Sequence, residues 1–418
     1  MAIRLRQVSS VSALKRVPRG FSAVGGTTHE FSPAHLDEVS MLDEETPAIE
    51  FEVKRRKEAP SGVKIVREKQ KPTLNVDAFV RSLDSALSSQ TVGHVMQLNQ
   101  NGTPIWFTAV GWAQTPSDLG KKWTADTRMH VASVSKLLTA MGMMKALGKG
   151  GWNTNAHIAP FLPEYWHQGS NVNLITFHHL LRHRSGFKVP GSKTDFLTMK
   201  KEVAAGVSNV GESSGYENVN FGLMRILLPV MNGDIDRDME VGGGGSINDG
   251  AWDALCVGFY RDYMQDHVFE PAGVNGAGFV PLPAAANGAV AYAFPNVGEH
   301  GWNSGDTSTV AGGAGWRLSI KELMSVLHHF RRKGTIVSTT TAQSMLDNLY
   351  GLNGSKDTDV GTIYWKKGGW HHGRRKEQCV AFFLPDGMEL AVFANSTIGV
   401  DDAKIDSLVV EHFVDAIG

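Results

Sequence analysis

The chain has 418 residues, 42% of them hydrophobic and 20% charged, which is enough for a real core and exceeds one average domain. A formal net charge of −1 leaves no basic excess for nucleic acid and no acidic excess for a solvating tail. No apolar run approaches the ~18 residues of a spanning helix, and two cysteines, Cys256 and Cys379, are too few for a disulfide framework or metal cluster and read as separate reduced core thiols.

Residues 1–29 carry Arg4, Arg6, Lys15, Arg16 and Arg19 and no acid, but no apolar core of a secretory signal; they share features with an Arg- and Ser-rich transit peptide and equally fit a poorly packed basic arm, and a cytoplasmic protein is expected. Residues 1–72 are poor in aromatics and end in the charged stretch Glu52 to Pro72; they read as a partly irregular extension. A helix is predicted over Val76 to Leu87, with Phe79, Val80, Leu83 and Leu87 on one face. A hairpin follows, His94 to Leu98 and Ile105 to Val110 around Asn101-Gly102.

Next comes His130-Val131-Ala132-Ser133-Val134-Ser135-Lys136-Leu137-Leu138. Leu137, Leu138, Met141, Met144 and Leu147 repeat at helical spacing up to Gly148, which sets Ser133 at or near a helix N-terminus. The unpaired N–H groups there can face a developing oxyanion, and residues three apart share a helix face, so Lys136 can approach Ser133. A serine hydroxyl needs a base, and a lysine serves only if burial or neighbouring cations lower its pKa; the apolar run after Lys136 suits that. Ser135 is adjacent to Lys136 and does not share its face. Taken alone, Ser-x-x-Lys also fits a capping serine followed by a solvated lysine.

The stretch from about 134 to 305 reads as helical and loop-rich, with Gly242 to Gly245 a surface connection. No Gly-Lys-Ser/Thr follows, so it is not a phosphate loop. His179 and His183 stand four apart, but without a glutamate between them or a third ligand. Asp234, Asp236 and Asp238 alternate as in a calcium loop, with Met239 where glycine is needed. Neither is read as a metal site. Val380 to Leu384 and Glu389 to Ala394 are strand-like around Pro385-Asp386-Gly387, and a closing helix carries Ile405, Leu408, Val409 and Phe413. Pairing the first and last strands in one sheet, with the helical block as an insertion beside it, is the simplest assembly.

These residues resemble the serine β-lactamase and penicillin-binding-protein superfamily, especially its class C β-lactamase-like esterases. Ser-x-x-Lys is one of that superfamily's motifs. Asp126-Thr127 resembles its lead-in to the nucleophile, His179-Leu180-Leu181-Arg182-His183-Arg184-Ser185-Gly186 its HLLxHxSG segment, Tyr216-Glu217-Asn218 its Tyr-x-Asn motif, and Ala311-Gly312-Gly313 with Ser319 its Gly-Gly turn. The likeness covers about residues 76 to 418. It implies an α+β fold: an antiparallel sheet flanked by N- and C-terminal helices, with a large helical insertion domain, β-lactamase/transpeptidase-like. The catalytic domain would span 73–418, its sheet lobe about 73–132 and 306–418 and its helical lobe about 133–305.

The resemblance further implies Ser133 as nucleophile, Lys136 and Tyr216 sharing the proton, and Asn218 orienting Lys136 or binding substrate. For the third motif two registers compete. Lys367-Gly368-Gly369 is preferred and makes Lys367, Gly369 and Trp370 substrate-binding, with the N–H groups of Trp370 and Ser133 as oxyanion hole; His371-His372-Gly373 is the other. A large Trp370 where β-lactamases carry Ser or Thr suggests a different substrate. The expectation is therefore a carboxylesterase acting on a small-molecule ester, with no cofactor, metal, nucleic acid or membrane span. β-Lactam or peptide-amide hydrolysis, acyl transfer, and an inactive binding protein on the same fold are the alternatives.

Overall fold

The computed structural model describes residues 71–189, 193–212, 215–282 and 288–418. The extension read over residues 1–72 lies almost wholly outside these.

Within them the order is α1 (Val76–Ser88), β1 (Gly93–Gln100), β2 (Thr103–Gln114), β3 (Lys121–Lys122), β4 (Met129–His130) and α2 (Ser135–Lys149). Helices α3 (Phe177–Leu181), α4 (Phe196–Ala205), α5 (Val219–Gly222), α6 (Met224–Asn232) and α7 (Gly245–Met264) follow. The chain then returns through β5 (Arg317–Leu318), α8 (Ile320–His328), α9 (Thr339–Asp347), β6 (Gly354–Thr358), β7 (Gly361–His372), β8 (Arg375–Phe383), β9 (Met388–Ala394) and α10 (Ile405–Asp415). No helix among the described residues is long and apolar enough to cross a membrane.

Seven strands form an antiparallel sheet in the order β3-β2-β1-β9-β8-β7-β6. The first and last strand groups meet where β1 pairs with β9, His94 opposite Ala394. The β1–β2 hairpin closes at Asn101-Gly102, whose φ values of 51° and 81° suit a twisted two-residue turn. Strand alternation sorts the apolar side chains onto two faces. Met96, Leu98, Val380, Phe382, Leu390 and Val392 face α1 and α10, where Phe79 and Phe413 meet edge-on at 5.4 Å. Val95, Cys379, Ala381, Ala391 and Phe393 face the helical block, and α8 packs against β1 and β9 on this side. Cys256 and Cys379 are both buried and free.

Glu389 is fully buried in β9, on the helical face. Neither carboxylate oxygen has a hydrogen-bond partner, and the Arg331 guanidinium stands 3.8 Å away. Burial outweighs that cation and pushes the carboxyl from its ordinary 4.5 to about 7. The folded chain therefore holds a proton that the unfolded chain has released between pH 4.5 and 7, and stability falls as pH rises through this window. Glu389→Gln is expected to flatten that fall, seen as a smaller loss of Tm between pH 5 and pH 8 than in the wild type. Parallel Tm curves for the two proteins would contradict the assignment.

Candidate active site

Ser133 sits in a tight turn, Ala132–Val134, immediately before α2. The turn is anchored by the Val131 N–H donating to Trp316 at 2.9 Å and the Val134 N–H donating to Val131 at 3.0 Å. Ala132 takes φ 42°, an uncommon conformation for a residue with a side chain, as the chain swings from β4 into the helix. The helical spacing read in the sequence carries through: Lys136 Nζ lies 3.1 Å from Ser133 Oγ. Ser135 is excluded as an alternative, because its Oγ is buried and accepts the Trp316 N–H at 3.2 Å.

Lys136 is wholly buried and has two further partners, Asn218 Oδ1 and the Gly313 carbonyl, each at 2.7 Å. A neutral amine has two hydrogens and one lone pair. With the hydrogens given to Asn218 and Gly313, the lone pair is left facing the Ser133 hydroxyl. Burial, and then repulsion from Lys366, hold the Lys136 pKa well below 10.5, which favours that neutral form. The structure thus brings Asn218 to the lysine as a hydrogen-bond acceptor. The Gly313 carbonyl comes from the Gly-Gly turn, where Gly312 adopts φ 88° and a side chain would collide with the Phe221 carbonyl.

Tyr216 arrives from the helical block. The residue is 46% exposed, but its hydroxyl turns inward and receives a hydrogen bond from Lys366 Nζ at 3.1 Å. The ring lies 4.8 Å from Lys136 Nζ. Burial pushes the phenol pKa up, partly offset by a hydrogen bond with Ser133. His183 stacks on the ring at 4.4 Å between centroids. Burial and the two lysines lower the His183 pKa to about 3, so it is a neutral platform.

The third motif requires a correction. Lys367 does not face Ser133; its ammonium pairs with Asp406 of α10 at 2.9 Å, across the sheet. Of the two adjacent lysines of β7, Lys366 is the buried one and the one that reaches Tyr216. In β7, Ile363, Trp365 and Lys367 face α10, whereas Lys366, Gly368 and Trp370 face the helical block. Gly368 lies against the Ser133 turn: a Cβ there would collide with the Val131 carbonyl and come 3.0 Å from Ser133 N.

The backbone N–H that β7 offers toward Ser133 changes with the register. Asn353 N donates to the Trp365 carbonyl at 2.8 Å, and Lys367 N donates to Asn353 Oδ1 at 2.9 Å. Odd-numbered backbone groups of β7 therefore point away from β8. Beyond the end of β6 the Gly369 N–H is the next on this free edge, whereas the Trp370 N–H turns toward β8, opposite Glu377. Gly369 keeps a place at the site through its backbone. The His371-His372-Gly373 register puts exposed residues at the far end of the strand and brings none of them to Ser133.

Lys366 ionises at about 7 instead of 10.5, because of its burial and the adjacent Lys367. From pH 7 up to 10.5 the unfolded chain binds more protons at this position, so the penalty is full below 7 and fades as pH rises. Lys366→Met is expected to raise stability at pH 7 by about 2–4 kcal/mol and to lose about 10²-fold in activity. Urea melts at pH 7 and pH 10 test this. A variant less stable than wild type at both pH values would refute it.

The chain matches the Beta-lactamase family model over residues 66–412. A curated relative, Esterase EstB of Burkholderia gladioli, is 30% identical over 106 residues, about a quarter of each chain. Among solved structures, FmtA from Staphylococcus aureus superposes with TM-score 0.62 at 14% identity, covering 84% of this chain and 89% of that one. The beta-lactamase/D-alanine carboxypeptidase from Yersinia pestis superposes with TM-score 0.61 at 16% identity, covering 82% and 96%. At these identities the structural likeness establishes the fold alone.

Proposed function

As a member of the beta-lactamase family of serine hydrolases, this chain, we propose, hydrolyses carboxylic esters through an acyl-enzyme on Ser133. The observation that carries the reading is the three-way coordination of the buried Lys136 amine, which leaves its lone pair on the Ser133 hydroxyl.

Ser133 Oγ attacks the ester carbonyl carbon and its proton passes to Lys136. The carbonyl oxygen becomes an oxyanion held by the N–H groups of Ser133 and Gly369, a type of contact worth ~3 kcal/mol per donor. Collapse of the intermediate breaks the bond to the alkoxide. The proton held by Lys136 passes through the Tyr216 hydroxyl, which also touches Ser133 and Lys366, to the leaving oxygen, so the alcohol departs and the Lys136 amine is neutral again. Water then gives a proton to the neutral Lys136 as it attacks the acyl carbon; the acyl–Oγ bond breaks, the acid leaves, and Lys136 returns the proton to Ser133 Oγ. An ester is favoured over an amide by the resemblance to an esterase, although only about a quarter of that relative is matched.

The test is turnover of p-nitrophenyl esters against a chromogenic cephalosporin and a D-alanyl peptide, with intact-mass detection of the adduct. Faster opening of the cephalosporin would make the chain a β-lactamase, and an adduct on any residue but Ser133 would remove the nucleophile assignment. Transfer of the acyl group to an added alcohol faster than to water would make it an acyltransferase.

A further inference from the structure

We propose that the indole of Trp370, clamped by the buried pair His130 and Glu377, closes one end of the groove at Ser133 and restricts the substrate to a short acyl chain. This rests on the ester-hydrolase reading above.

On the site face of β7 the side chains in order are Lys366, none at Gly368, and Trp370. Gly368 is the point of contact with the Ser133 turn. At ~3.3 Å per residue, Trp370 stands ~7 Å along the strand from Gly368, as far on one side as Lys366 on the other. The reacting carbonyl thus lies in a slot bounded by the Lys366 amine at one end and an indole at the other. Gly368 projects nothing between them. The amine is held against Tyr216 and belongs to proton transfer, so the apolar end is the one that meets an acyl chain.

The indole is held from behind. It is half-buried and packs edge-on against the His130 ring, with centroids 5.5 Å apart. His130 is fully buried. Its Nδ1 lies 3.2 Å from Glu377 Oε2, and its Nε2 accepts the Gly315 N–H at 3.2 Å. That pattern leaves the imidazole one tautomer, with Nδ1 donating to the carboxylate and Nε2 free to accept. Glu377 sits opposite Trp370 on β8, so the clamp is built into the ladder that carries the indole. A wall with this backing does not give way to a longer chain. His130 acts only through Trp370 and is a positioning residue.

The experiment compares kcat/KM for p-nitrophenyl acetate and octanoate in wild type, W370A, W370F and H130N, with short-chain fluorophosphonate labelling of Ser133 by intact mass. The octanoate-to-acetate ratio is expected to rise at least ~10-fold in W370A, with W370F between, since a few added methylenes in an apolar pocket carry that much discrimination. H130N is expected to move the ratio the same way by a smaller factor. An unchanged ratio in a W370A protein that still labels on Ser133 overturns the inference and leaves the nucleophile standing. Absence of both label and turnover in wild type overturns the hydrolase reading and this inference with it. Should W370A fail to fold, W370F decides by the same ratio.

Discussion

Lys136→Met is expected to lower kcat/KM for an activated ester by about 10³-fold or more, the upper range of what one positioned base supplies. The variant keeps an unbranched apolar side chain of similar length in a buried position, so what it removes is the amine. Ser133 then has no group to receive its proton, and the acceptors on Asn218 and Gly313 lose their donor. Residues that act as a unit are not additive. The double variant S133A/K136M is therefore expected to be no slower than S133A alone, whereas a further large loss in the double would mean that Lys136 works independently of Ser133.

The same assignment fixes a pH dependence. The base must be neutral to accept a proton, so kcat/KM rises with pH. Burial and Lys366 hold the Lys136 amine well below 10.5, so the rise is complete well short of that value. Lys366 loses its own charge at about 7, and above that its repulsion of the Lys136 ammonium fades, so the two amines titrate as a coupled pair and burial is what keeps Lys136 low. A profile still climbing through pH 10.5 would describe an ordinary solvated lysine and would defeat the mechanism.

Gly368→Ala is expected to cost about 10²–10³-fold in kcat, the scale of a lost oxyanion donor. The added methyl would collide with the Val131 carbonyl, which is backbone and cannot swing aside, and would press on Ser133 N at 3.0 Å and Cys379 Sγ at 3.0 Å. β7 must then move away from the nucleophile's turn, and the N–H groups of Ser133 and Gly369 no longer converge. Overpacking adds a stability loss of about 1–3 kcal/mol. KM is expected to change far less than kcat, because the oxyanion exists only after attack. Equal loss in both would mean that the glycine serves ground-state binding instead. Gly369→Ala is the matched control, since a Cβ there meets nothing closer than Lys376 Cε at 3.7 Å.

Local chemistry alone determined much of this protein. The approach of Lys136 to Ser133 is a property of helical spacing and needs no partner element. The β1–β2 hairpin is set by Asn101-Gly102, the β8–β9 hairpin by Pro385-Asp386-Gly387, and α1 and α10 by their apolar stripes. Each signal lies within a few residues of the feature it specifies. The family likeness then pointed to Tyr216 and Asn218, which no local pattern places near Ser133.

What the tertiary structure decided was the phase of β7. Lys366 and Lys367 are adjacent and chemically identical, and a one-residue slip turns every side chain of a strand to the opposite face. The choice is made elsewhere: by β8, which fixes the ladder, by Asp406 on α10, which draws Lys367 across the sheet, and by Asn353, which sets which backbone N–H groups face the groove. The Gly313 carbonyl on Lys136, the His183 ring under Tyr216 and the depressed ionisation of both lysines share that origin, because charge burial and long-range contact exist only once the lobes have closed around the site.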